Sequence, residues 1–115
     1  PSYTSHIRKA RRTEAKAALL QIQVAQEKYF LQNNTYSSAL NSSGLGLGYS
    51  STSPTTMSGY YTLSYTAGSL ATTYTATATA TGTQIDDANC KSFSINELGT
   101  KTSTNSSNAT STECW

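Results

Sequence analysis

From residue 3 to residue 31 the chain runs without glycine or proline, and its apolar positions recur at helical spacing. Ala17, Leu20, Val24 and Leu31 fall on one side of that helix, while Ala18, Ile22, Ala25 and Tyr29 form a second stripe at i, i+4, i+7 and i+11. The stripes stand well over a third of a turn apart, with Leu19 and Phe30 flanking the first. A helix resting on one sheet buries one stripe. The first set is therefore expected to hold the sheet and the second to meet a neighbouring subunit, the alternative being ordinary exposed residues on a helix surface. On this reading Ile22→Asp leaves the domain folded and impairs assembly.

Gln32-Asn33-Asn34-Thr35 is a stop signal, since asparagine tolerates the left-handed cap conformation. The helix is assigned to residues 1–32 and a Ser/Thr/Gly/Asn-rich connecting loop to 33–59, after which the periodicity changes from helical to alternating. In 60–66, Tyr61, Leu63 and Tyr65 alternate with small or polar residues, and Ala67-Gly68-Ser69 turns the chain. In 70–81, Tyr74, Ala76, Ala78 and Ala80 share the face expected to meet the helix, with threonines on the other. In 90–96, Phe93 and Ile95 point inward. Connections this short imply an antiparallel meander over 60–101.

Composition narrows the class. With 115 residues the chain is long enough for one modest core, and 12% charged residues with a net charge of +2 and eight tyrosines describe a hydroxyl-rich β surface rather than a disordered chain. Charge is uneven: Arg8, Lys9, Arg11, Arg12, Lys16 and Lys28 against Glu14 and Glu27 give +4 over residues 1–32, whereas Lys91 and Lys101 against Asp86, Asp87, Glu97 and Glu113 give −2 over the rest. The run from Arg8 to Arg12 is a solvated face or a contact for phosphates, lipid headgroups or an acidic neighbour. A chain that begins at Pro1 without methionine, signal peptide or membrane span reads as a processed or truncated piece, and apolar helix upstream would set the basic run just beyond a membrane span.

Catalytic and metal-binding patterns are missing from the sequence. His6 is the only histidine, Asp86-Asp87 is a turn pair without the alternating oxygens of a calcium loop, and Gly44, Gly46 and Gly48 lack the strand and helix of a phosphate cradle. The sequons at Asn33, Asn41, Asn105 and Asn108 are expected by chance in such a composition. No enzyme activity and no cofactor are expected. Two cysteines in a secreted-looking chain make a Cys90–Cys114 bridge the natural assignment, two buried thiols being the alternative, and the hydroxyl-rich tail 102–112 is expected to be ordered only if Cys114 is bonded.

Several segments carry a family resemblance: the start Pro1-Ser2-Tyr3, the run from Arg8 through Glu14-Ala15-Lys16 to Leu20, and Gln26-Glu27-Lys28-Tyr29-Phe30 followed by Asn34-Thr35-Tyr36. Gly59-Tyr60-Tyr61-Thr62-Leu63, the Cys90 strand ending in Gly99-Thr100-Lys101, and the closing Cys114-Trp115 add to it. Over nearly its whole length the chain resembles the periplasmic part of a type IV pilin, most of all the PilE-like minor pilins. The resemblance implies an α+β fold, one globular domain over 1–115, with the N-terminal helix packed on a three- to four-stranded antiparallel sheet and a disulfide-bounded region at 90–115. It implies a structural subunit that helps initiate pilus assembly and supports twitching motility, adhesion and DNA uptake. Its partners would be other major and minor pilins and, through a hydrophobic helix upstream of Pro1, the inner membrane before assembly into the extracellular pilus. A DNA-binding competence pilin and a type II secretion pseudopilin are the alternatives. With only Lys91 and Lys101 outside the helix and −2 there, long-range attraction to DNA is not expected. The long Thr/Ala strand and the Ser/Thr/Asn tail depart from the family pattern in composition.

Overall fold

The computed structural model describes residues 2–37, 55–56, 58–66, 72–111 and 114–115. Most of the expected loop 33–59, the expected turn at Ala67-Gly68-Ser69 and the side chain of Tyr65 lie outside the described residues. Helix α1 spans Ser2–Asn33. Its end is set by asparagine chemistry: Asn34 takes φ 57°, its N–H donates to Phe30 O at 2.8 Å, and the Asn33 amide donates to Tyr29 O at 3.0 Å.

Four strands follow, β1 Tyr61–Thr66, β2 Thr75–Ala80, β3 Ser92–Asn96 and β4 Lys101–Thr104, in one antiparallel sheet of order β1-β2-β3-β4. Leu63 pairs with Ala78, Ala78 with Phe93, and Phe93 with Ser103, so the inward positions line up across all four strands. Between β2 and β3 the chain makes a 3-10 helix, Gly82–Asp86. The β3–β4 turn is shaped by Asn96, whose Oδ1 accepts the N–H groups of Leu98 and Thr100 at 3.0 and 2.9 Å. Gly99 is required there: its φ is 77°, and a Cβ would stand 3.1 Å from Gln23 Nε2 on the helix.

The expected inward faces of the strands are the buried ones: Tyr61 and Leu63, then Tyr74, Ala76, Ala78 and Ala80, then Phe93 and Ile95. The helix lies across β2 and β3, where alanines leave room for close approach. The face it buries reverses the expectation. Ala15, Ala18, Leu19, Ile22 and Gln26 are buried, with Ile22 0% exposed, whereas Leu20, Val24 and Leu31 are 39%, 67% and 84% exposed and Ala17 is also exposed. Ala25 and Tyr29 are half-buried on the sheet side. Ala18, Ile22, Ala25 and Tyr29 are thus the sheet-facing stripe, and Leu20, Val24 and Leu31 stand about half a turn away from it.

Polar side chains fix this roll of the helix. Arg12 Nε and Nη2 donate to the two carboxylate oxygens of Asp87, each at 2.6 Å. The Arg11 guanidinium lies 3.7 Å over the Tyr60 ring and donates to the Tyr60 hydroxyl at 3.0 Å and the Thr83 hydroxyl at 3.3 Å. Glu14 accepts the N–H and O–H of Ser58 at 2.9 and 2.7 Å. At the far end, the buried Gln26 donates to Ser37 O at 2.8 Å and accepts from Ser37 N at 2.9 Å. These residues share the angular sector of Ala18 and Ile22, so the opposite roll would aim all of them at solvent.

Residues 102–111 of the hydroxyl-rich tail return along the sheet, and Lys101–Thr104 form the fourth strand, β4, which the resemblance allows for and the alternation pattern does not place. Asn105 repeats the device of Asn96, accepting the N–H groups of Ser107 and Ala109 at 2.9 and 3.1 Å, with Asn108 at φ 62°. Ser111 N–H then bonds to Ser103 O at 2.9 Å. The Cys90–Cys114 disulfide, with a Cα–Cα distance of 5.7 Å, closes the tail onto β3 in the core. Trp115 meets Phe93 edge to face at 5.7 Å and donates Nε1–H to Thr102 O at 2.6 Å.

Candidate functional site

Two surfaces result. The first is the outer side of α1, where Leu20, Val24 and Leu31 stay exposed at i, i+4 and i+11. No helix among the described residues is long and apolar enough to cross a membrane.

The second surface is basic and aromatic. Lys16 on the helix has its Nζ 6.0 Å from the Phe93 ring, and Lys101 on β4 has its Nζ 5.4 Å over the Trp115 ring. Because Phe93 and Trp115 touch, two lysines 85 positions apart in sequence flank one aromatic pair. One turn earlier on the same helix Arg12 is neutralised by Asp87, and one turn before that stand Arg8 and Lys9. The acidic residues Glu27 and Glu97 both act on Tyr74, and Glu97 lies in the β3–β4 turn that leads into Lys101.

The network beneath the basic side is uncharged apart from the Arg12–Asp87 pair. Burial pushes the Tyr61 phenol up to about 12, with Asp87 adding to the effect and the Gln84 hydrogen bond opposing it. Gln84, itself buried, donates to Tyr61 Oη at 3.0 Å, to Asp87 Oδ2 at 3.2 Å and to Arg8 O at 3.2 Å, tying the 3-10 helix to α1. Burial likewise lifts Tyr74 to about 12, so neither phenol ionises near neutral pH.

Glu14 is a titratable anchor of the helix. Burial alone would raise its carboxyl above the ordinary 4.5, but the hydroxyls of Thr56 and Ser58 and the Ser58 N–H favour the charged form and hold it lower. A carboxylate depressed in the folded state contributes stability above its unfolded pKa, and that contribution disappears as pH falls through the folded value. Glu14→Gln is therefore expected to lower the urea midpoint at neutral pH, with the difference from wild type vanishing on acidification below the ordinary carboxylate range. An equal difference at every pH would reject Glu14 as the titrating anchor.

Among the described residues no three His, Cys, Asp or Glu side chains gather to hold a metal ion. His6 is exposed on the helix, and Asp86 and Asp87 form the end of the 3-10 segment. Of the candidate site residues, Cys90 and Cys114 are joined, while Ala18 and Ile22 are core. The surface formed by Lys16, Lys101 and Trp115 was missed in the sequence, where no local spacing links the three.

The model of a family described as "Type IV minor pilin ComP, DNA uptake sequence receptor" matches residues 1–94. Among solved structures, a type IV pilin from Shewanella oneidensis is similar, with a TM-score of 0.64 and 22% identity over 94% of this chain and 97% of that one; at this identity the likeness bears on the fold. No curated protein matches the chain in sequence.

Proposed function

The chain belongs to the type IV minor pilin family, a membership that makes it a pilus subunit, and we propose that within the pilus it captures duplex DNA along its basic side. The observation that carries this reading is the convergence of Lys16 and Lys101 on the Phe93–Trp115 pair. Two cations held on either side of a half-exposed indole offer contacts to phosphates and a flat apolar surface beside them. The family description, which names a receptor for DNA uptake sequences, agrees with this chemistry.

The exposed apolar positions of the helix serve assembly. Leu20, Val24 and Leu31 provide the apolar stripe by which neighbouring pilins pack on this subunit, and the pilus is extracellular, built from a precursor anchored in the inner membrane. Lys16 precedes Leu20 by one turn on the same side of the helix, so DNA capture and filament packing use adjoining parts of one surface. Roles in initiating assembly, motility and adhesion follow from incorporation into the pilus. No reaction is catalysed.

The test is duplex binding by fluorescence anisotropy as a function of salt. Each phosphate neutralised contributes about 0.9 to the slope of log affinity against log salt, so the Lys16→Gln/Lys101→Gln pair is expected to reduce the slope by about 2 and affinity at low salt by roughly tenfold. Absence of salt-sensitive binding to any duplex at low salt would overturn the DNA reading and leave the subunit as a packing component.

A further inference from the structure

The Lys16–Lys101 surface leaves Arg8 and Lys9, neighbours near the start of the helix, unused. Among the described residues the side chains of Arg8 and Lys9 make no hydrogen bond or ion pair, although the first turns of α1 lie close to the segment after the 3-10 helix. Between them is a cleft of about 350 Å³, walled on one side by Ser5, Arg8, Lys9 and Arg12 and on the other by residues 86–90. One wall is rigid, because the buried Asp87 carboxylate is clamped by Arg12 at 2.6 Å and by Gln84 at 3.2 Å.

Three observations give the cleft its ligand class. Arg12 and Asp87 neutralise one another, and Asp86 offsets one of the two remaining cations, so Arg8 and Lys9 against Asp86 leave +1. The backbone N–H groups of Ala88 and Asn89, both in the cleft wall, donate no hydrogen bond among the described residues, while those of the neighbouring Asp87 and Cys90 are bonded within the turn. Among the described residues, a guanidinium, an ammonium, two amides and the Ser5 hydroxyl are donors that meet no acceptor, a set suited to a small oxyanion. Arg8 also lies two helical turns before Lys16, about 12 Å along the axis at 1.5 Å per residue, which is a spacing that one DNA backbone can span.

We propose that this cleft binds a backbone phosphate of the same duplex that Lys16 and Lys101 contact, extending the DNA surface toward the start of the helix. The inference rests on the DNA reading, but its residues are separate from those that carry that reading. Arg8 supplies the planar fork, Lys9 the point charge, and the 88–89 amides fix the oxygen positions. Asp86 at the rim repels the phosphate and limits affinity.

The experiment uses the 15N-labelled chain, titrated first with inorganic phosphate and then with a short duplex. Inorganic phosphate is expected to shift the Ala88 and Asn89 amide signals in the wild type and in Lys16→Gln/Lys101→Gln, but not in Arg8→Gln/Lys9→Gln. With duplex, Arg8→Gln/Lys9→Gln lowers the salt slope by about 2, and Asp86→Asn raises affinity severalfold. Circular dichroism establishes that each variant is folded; the Arg8 contact to Gln84 is through its backbone carbonyl and survives the change. If phosphate leaves these amides unmoved and Arg8→Gln/Lys9→Gln binds duplex as the wild type does, the cleft is excluded while a weakened Lys16→Gln/Lys101→Gln variant still upholds DNA capture. If phosphate shifts the amides but no duplex binds at low salt, both the DNA reading and the assignment of the cleft to DNA are overturned.

Discussion

Ile22→Asp is expected to unfold this domain, while Val24→Asp, two residues away, leaves it folded. Ile22 is fully buried among Ala18, Leu19 and the sheet residues Ala76, Ala78 and Phe93 in one apolar cluster. Replacing it removes roughly 2 kcal/mol of apolar burial and places a carboxylate where the cluster offers no partner, so the total loss is about 4–5 kcal/mol or more. Small domains are stable by roughly 5–15 kcal/mol, and a loss of that size leaves little or nothing. Val24 is 67% exposed, and Asp there changes stability by about 0.5 kcal/mol at most. Val24→Asp and Leu31→Asp instead remove apolar contacts of the outer stripe, so pili made with these variants should lack the subunit although the isolated domain melts normally. Urea melts followed by circular dichroism, with immunoblots of sheared pili, separate the outcomes. A wild-type melt for Ile22→Asp would mean that the helix turns its other face to the sheet.

That reversal marks where the sequence stops being informative. Strand faces were legible because alternation has one solution: with Tyr74, Ala76, Ala78 and Ala80 on one side and threonines on the other, only one side can be core. The helix had two apolar stripes of similar strength, and alanine, which suits either environment, contributes to both. Its roll is decided by partners far away in sequence, Asp87 for Arg12, Tyr60 for Arg11 and Ser58 for Glu14, none of which a local window contains. The fourth strand was hidden for a different reason. Lys101–Thr104 has no apolar residue, and its pairing depends on the Asn96 and Asn105 turns and on the disulfide rather than on side-chain burial. The candidate DNA surface was hidden by the same long-range logic: counted by segment, the sheet is acidic, but folding sets Lys101 beside Trp115 and Phe93 with Lys16 above, and pairs Asp87 with Arg12.

Removal of the disulfide by Cys90→Ala/Cys114→Ala is the change that tests how far this surface depends on the tail. The two cysteines are 24 positions apart, a closure worth about 3.5 kcal/mol in the chain-entropy model, and the domain's thermal midpoint should fall by roughly 10 °C. The loss is expected to be uneven. The turn at Asn105 is held by its own hydrogen bonds and should persist, whereas Trp115 is tied to the sheet by one hydrogen bond and the Phe93 contact and should be released. With the indole gone, Lys101 loses its platform and Phe93 is uncovered, so duplex affinity should fall by about as much as in Lys16→Gln/Lys101→Gln, even well below the midpoint. Both sulfurs are buried, so dithiothreitol should reduce the bridge slowly in the native protein and rapidly in urea. Fluorescence of the single tryptophan reports its release directly. If the double variant keeps a wild-type emission spectrum and duplex affinity while losing stability, the bridge strengthens the fold alone and the tail takes no part in holding DNA.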